Sequence, residues 1–218
     1  MRFGGIVFAL VVLAACSPAP AASPTTPPSS SSATATTTTT SAAPDIAAVQ
    51  RRVTAGRVPD DLIGRLGFRF DTDKMEMGKY TTVACPEDLA TDGAMSTIRD
   101  YYRWTGPAEN SVLVQRVFWY KRAAAAAETV ELAKQSLNCG TFTIGDSSFT
   151  VDGELALPPL GGDAQFAVCY EVGRMIDCEL VLSKGDLLTT VAYSGPSRDT
   201  AAAHLEEVGR TVAGLLKP

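Results

Sequence analysis

The feature that most constrains this chain is a pair of cysteines placed symmetrically about a glycine turn. Residues 166–172 and 175–182 both have the apolar, β-branched and alternating character of strands, and only Gly173-Arg174 separates them. Glycine at the first loop position fits a two-residue type II′ hairpin. Val172 then faces Met175, and counting back along the ladder sets Cys169 opposite Cys178 as a non-hydrogen-bonded pair, with Cα atoms about 4.5 Å apart. That separation suits a disulfide. The same register places Ala167, Cys169, Ile176, Cys178, Leu180 and Leu182 on one face, which is predicted to be buried, and Phe166, Tyr170, Asp177 and Glu179 on the other.

The N-terminus indicates an oxidising destination. Arg2 precedes a short apolar run at residues 6–13, and Leu13-Ala14-Ala15-Cys16 completes a bacterial lipobox. A transmembrane helix needs roughly twenty apolar residues, so residues 1–15 are predicted to be a cleaved signal peptide. Resemblance to bacterial lipoproteins implies that Cys16 becomes the N-terminus and carries palmitate-type acyl chains, which hold the protein at the extracytoplasmic face of the cell membrane. Residues 16–44 are then the lipidated cysteine and a linker made almost wholly of Ser, Thr, Ala and Pro, which has no core to bury and reads as a disordered tether. It is either a bare spacer or a carrier of O-linked sugars. In an exported chain the remaining cysteines pair, so Cys85 joins Cys139 by elimination.

Residues 45–218 read as a single globular domain. The formal net charge of −5 is spread along the sequence without a basic run, which argues against a nucleic-acid partner. A Lys184-Gly185 loop extends the cysteine hairpin into a third strand at 187–193. Residues 111–120 are a strong strand candidate and 78–85 a weaker one. Alanine-rich 122–137 carries Ala126, Val130, Ala133 and Leu137 on one helical stripe. A closing helix capped near Ser197 or Asp199 carries Ala202, Leu205, Val208, Val212 and Leu215, and a shorter helix starts at Asp45. The expected class is α+β: an antiparallel hairpin meander with amphipathic helices on one face and two disulfides.

A strand running into an alanine-rich helix that ends in Cys139, the stretch Leu157-Pro158-Pro159-Leu160-Gly161-Gly162-Asp163, the cysteine meander with Lys184-Gly185-Asp186, and a closing helix follow one another in order. This order resembles the extracellular sensor domain of PknH-type mycobacterial Ser/Thr kinases and the stand-alone actinobacterial lipoproteins that share it, over roughly residues 80 to 217. The resemblance implies an antiparallel sheet packed with helices, two disulfides and a cleft for an unidentified ligand. No kinase domain accompanies it here.

Nothing in the sequence points to catalysis. The single histidine, His204, reads as an exposed or boundary position of the last helix, and hydrolase elbows, zinc helices and phosphate loops are missing. No cofactor is expected. Cysteine and histidine spacing does not fit a metal site, and Asp71-Thr72-Asp73 with Glu76 lacks the glycine and distal glutamate of an EF-hand, so it reads as a solvated turn. The densest aromatic group is Tyr101, Tyr102, Trp104, Phe118, Trp119 and Tyr120, and the candidate cleft residues are Trp104, Trp119, Tyr120, Phe166 and Tyr170. Three functions fit: a membrane-anchored module binding a small molecule, glycan or lipid; a lipoprotein docking on an envelope protein; and an enzyme needing converging carboxylates. For the third, Asp163, Asp177 and Asp186 are the candidates, expected to be too scattered to act together.

Overall fold

Asp45 opens the first helix by accepting the backbone N–H groups of Ala47 and Ala48, at 3.0 and 3.2 Å. The computed structural model describes residues 43–74, 85 and 88–218. Its elements in chain order are α1 (Ile46–Ala55), α2 (Asp60–Arg65), β1 (Arg69–Thr72), β2 (Met95–Thr105), β3 (Val112–Tyr120), α3 (Ala123–Gln135), β4 (Thr141–Ile144), β5 (Ser147–Glu154), β6 (Ala164–Val172), β7 (Met175–Lys184), β8 (Leu187–Gly195) and α4 (Arg198–Leu215). The strands form one eight-stranded sheet in the order β1-β2-β3-β8-β7-β6-β5-β4, antiparallel at every junction. The expected α+β class and both disulfides are present.

The cysteine hairpin has the register expected from its turn. Val172 pairs with Met175 and Cys169 with Cys178, and the two bonded cysteines have Cα atoms 4.0 Å apart. Gly173 and Gly185 take φ values of +63° and +60°, the left-handed region each tight turn requires at its first position. The second turn is therefore Gly185-Asp186 rather than Lys184-Gly185, because Lys184 stays in the ladder opposite Leu187. Cys85 is bonded to Cys139 just after α3, with a Cα separation of 5.8 Å; the rest of the 78–85 strand candidate lies outside the described residues.

The helices cover both faces of the sheet, not one. Alternate residues of the central strands divide between two clusters. Leu113, Val117, Cys169, Cys178, Leu180, Leu182 and Val191 pack with Val49 and Val53 of α1, Leu62 of α2, and Leu205, Val208 and Val212 of α4. Phe118, Phe166, Val168, Tyr170, Val181 and Leu188 pack with Ala125, Ala126 and Val130 of α3. The cause is topological. After β3, in the middle of the sheet, the chain must reach β4 at the far edge, and α3 makes that crossing over the second face, where its small alanines permit close approach. Central strands are thus buried on both sides, including Phe166 and Tyr170 on the face opposite the cysteines. Every residue of both clusters and both disulfides falls within residues 43–218.

Buried Gln115 fastens the α1–α2 loop to the sheet. It donates to the Gly56 carbonyl at 2.8 Å and accepts the Val58 N–H at 2.9 Å, so an amide that is costly to bury unpaired is satisfied at both ends.

Candidate functional site

The Gly185-Asp186 turn is a node between several elements. The Asp186 carboxylate accepts two hydrogen bonds from the Arg52 guanidinium on α1 and one from the Trp119 indole N–H at 2.8 Å. Tyr120 donates its backbone N–H to the Asp186 carbonyl at 2.8 Å. Arg52 also donates to the Lys217 carbonyl at 3.0 Å, Lys184 donates to the Ala213 carbonyl of α4 at 2.7 Å, and the Gly185 N–H donates to the Asp163 carboxylate at 2.7 Å. Burial works against ionisation of Asp186, yet the bonds from Arg52 and Trp119 outweigh it and hold the carboxyl below its ordinary range.

Beside this node lies a half-open groove of about 460 Å³, lined by Pro44, Ile46, Ser96, Thr97, Ile98, Trp119 and Lys121. It owes its existence to an irregularity in β2. Met95 pairs with Tyr120 and Arg99 with Phe118, so β2 carries extra residues there and Ser96, Thr97 and Ile98 depart from the ladder. The Trp119 N–H is committed to Asp186. What the indole can offer the groove is its apolar ring. Ser96 accepts the Ile98 N–H at 3.1 Å, which leaves its own proton available to donate. Lys121 is exposed and forms no ion pair with any described residue.

A second polar feature sits within the sheet on the α3 side. Arg116 lies 3.6 Å from the fully buried Glu179 carboxylate and stands 6.0 Å from the Tyr101 ring centroid. Asp177 accepts a hydrogen bond from the Ser194 hydroxyl at 2.8 Å. Burial raises the Asp177 carboxyl, with Ser194 and Arg116 in partial opposition. The Tyr170 hydroxyl is buried without a hydrogen-bond partner among the described residues; burial, then Glu179 and Asp177, push its ionisation far upward.

The five aromatic cleft candidates do not converge. Trp104 and Trp119 belong to the cluster under α1 and α4, whereas Tyr120, Phe166 and Tyr170 belong to the cluster under α3. Only Trp119 lines the groove. No local pattern marks Arg52, Arg116, Ser96 or Lys121, each of which is placed by tertiary structure alone. Asp163 and Asp186 come to the same turn but take different donors, and Asp177 is bound to Ser194 on the neighbouring strand. His204 is half-buried, its ring 5.3 Å from Phe68 and 5.0 Å from Tyr193. Asp71 pairs with Arg103 at 3.2 Å, and Glu76 lies outside the described residues. Among the described residues there is no group of three metal-ligating side chains, and no helix is long and apolar enough to cross a membrane.

No protein-family model and no curated protein matches the sequence. The fold is similar to that of the extracellular domain of PknH from Mycobacterium tuberculosis, with a TM-score of 0.54 at 14% sequence identity, over 76% of this chain and 96% of that one.

Proposed function

We propose that this chain is an exported lipoprotein, anchored through Cys16 at the extracytoplasmic face of the cell membrane, whose domain is a non-catalytic, sensor-like module that binds a ligand. The observation that carries the reading is the likeness to an extracellular domain over nearly all of that domain's length. Two disulfides support it, since such bonds persist in oxidising compartments. The lipobox at Cys16 supplies the anchor, and the groove beside Trp119 supplies a concave apolar surface of the size small-molecule sites have. The three candidate carboxylates, Asp163, Asp177 and Asp186, are engaged by the Gly185 N–H, the Ser194 hydroxyl, and Arg52 with Trp119, which suits a structural role better than acid–base chemistry.

Two measurements test the two halves of the reading. Full-length chain expressed in a host with lipoprotein maturation should incorporate alkyne-palmitate, and Cys16→Ser should abolish the label. Denaturing extraction of the purified protein followed by mass spectrometry should release a stoichiometric small molecule. Unlabelled wild-type protein would remove the anchor, and a preparation free of any bound species would move the function to docking on an envelope protein.

A further inference from the structure

The groove beside Trp119 has a chemistry that selects among ligands. Its walls are the aliphatic side chains of Ile46 and Ile98, the Pro44 ring and the Trp119 indole, while Lys121 supplies a charge at the rim. Among the described residues no acidic side chain lines it. The acid next to it in sequence, Asp45, is occupied by the α1 cap, and by accepting from Ala47 and Ala48 it also fills the helix N-terminus that an anion would otherwise use. The side-chain donors lining it are one ammonium and the hydroxyls of Ser96 and Thr97. One point charge with two hydroxyl donors matches a singly charged carboxylate, and the bidentate fork with which arginine holds a phosphate has no counterpart among the lining side chains.

From this we infer that the groove binds a fatty acid, its chain against Ile46, Ile98 and the Trp119 ring and its carboxylate at Lys121. The inference rests on the ligand-binding reading above and adds the class of ligand. It also assigns a specificity residue, Lys121, and an apolar wall residue, Ile46, that substitution can address without disturbing the core, because both side chains are exposed.

The test uses residues 17–218, which retain every core and disulfide residue but cannot carry an acyl chain of their own. After oxidising export and delipidation, the protein is titrated by calorimetry with laurate, dodecyl phosphate, dodecanol and dodecyltrimethylammonium, each below its micellar concentration. Laurate should bind at one site and more tightly than the other three, about fivefold over dodecanol, as one exposed ion pair gives. Lys121→Glu should reverse the order of laurate and dodecyltrimethylammonium. Ile46→Ser, which removes apolar wall without adding charge, should weaken laurate and dodecanol alike, and both variants should keep the wild-type urea midpoint. Equal affinity for laurate and dodecanol, tighter binding of dodecyl phosphate, or a Lys121→Glu protein with unchanged preference would each overturn the assignment. If laurate fails while another molecule is recovered from the purified protein, the fatty-acid inference falls and the ligand-binding reading stands; if neither binds, both fall.

Discussion

Replacing Tyr170 with phenylalanine should make the domain more stable. The Tyr170 side chain is fully buried and its hydroxyl has no hydrogen-bond partner among the described residues. In the unfolded chain that hydroxyl is hydrated, and burying it unpaired costs about 1–3 kcal/mol. The ring itself is well used, packed edge-on against Phe142 and Phe149 at centroid distances of 5.5 and 6.3 Å, and Tyr170→Phe preserves those contacts. Against the gain stands an oxygen-sized void, which at about 24 cal/mol per Å³ costs a few tenths of a kcal/mol. The net expectation is a stabilisation of about 1 kcal/mol, or roughly 2–4 °C in Tm for a domain of this size. Because Glu179 and Asp177 add to burial in keeping the phenol protonated, the variant does not change the charge of the folded protein near neutral pH. Urea denaturation of the oxidised protein at pH 7, with an unchanged m-value, is the assay. A variant that loses more than about 0.5 kcal/mol would show that the hydroxyl is hydrogen-bonded in solution and that the unpaired-group argument is wrong.

Other perturbations probe the remaining structure. Asp186→Ala removes the acceptor of both Arg52 and the Trp119 N–H and should cost about 2–3 kcal/mol in urea denaturation, with Asp186→Asn losing less because one acceptor remains. Removing the Cys85–Cys139 bond, whose ends are 54 positions apart in sequence, should cost about 4 kcal/mol on the loop-entropy argument, against about 3 for Cys169–Cys178, 9 positions apart. Equal losses in paired Cys→Ala denaturation series would refute that ordering. Burial against Phe68 and Tyr193 depresses His204 below its ordinary value of 6.5, so the unfolded chain takes up a proton first as pH falls. Stability should therefore be full above that value and decline as the pH drops through it, and His204→Gln should flatten the decline between pH 7.5 and 5.5.

How legible the fold was depended on whether a local signal survived its surroundings. The β6–β7 register could be counted from a turn glycine because a two-residue hairpin fixes pairing by itself. The Ser197 cap and the apolar stripe of α4 were readable for the same reason: the Ser197 side chain accepts the Thr200 N–H, and Leu205, Val208 and Val212 recur at helical spacing. Strand β2 escaped notice although it carries Tyr101, Tyr102 and Trp104, since Ser96, Arg99, Asp100 and Arg103 interrupt its alternation. Strands β4 and β5 are short and rich in Ser, Thr and Gly, and they acquire their character from the sheet edge they complete. The two-sided covering was hidden for a different reason. It follows from the strand order, which no periodicity within β6 or β7 contains.

The groove was less legible still, and its construction explains why. It needs Pro44 and Ile46 from the start of α1, Ser96 to Ile98 from a register shift, and Trp119 from the end of β3, and these segments meet only in the folded chain. A regular β2 ladder would carry Ser96, Thr97 and Ile98 straight along β3. The extra residues instead move them off the ladder, as bulges beside binding sites do. Trp119 then serves two neighbours at once: its N–H is held by Asp186, which also holds Arg52 on α1, while its ring forms part of the groove wall. Aromatic content singled out Trp119, and Trp119 lines the groove. The same signal at Trp104, Tyr120, Phe166 and Tyr170 reported burial instead, because an aromatic side chain has the same apolar surface whether it packs against a neighbouring side chain or lines a pocket.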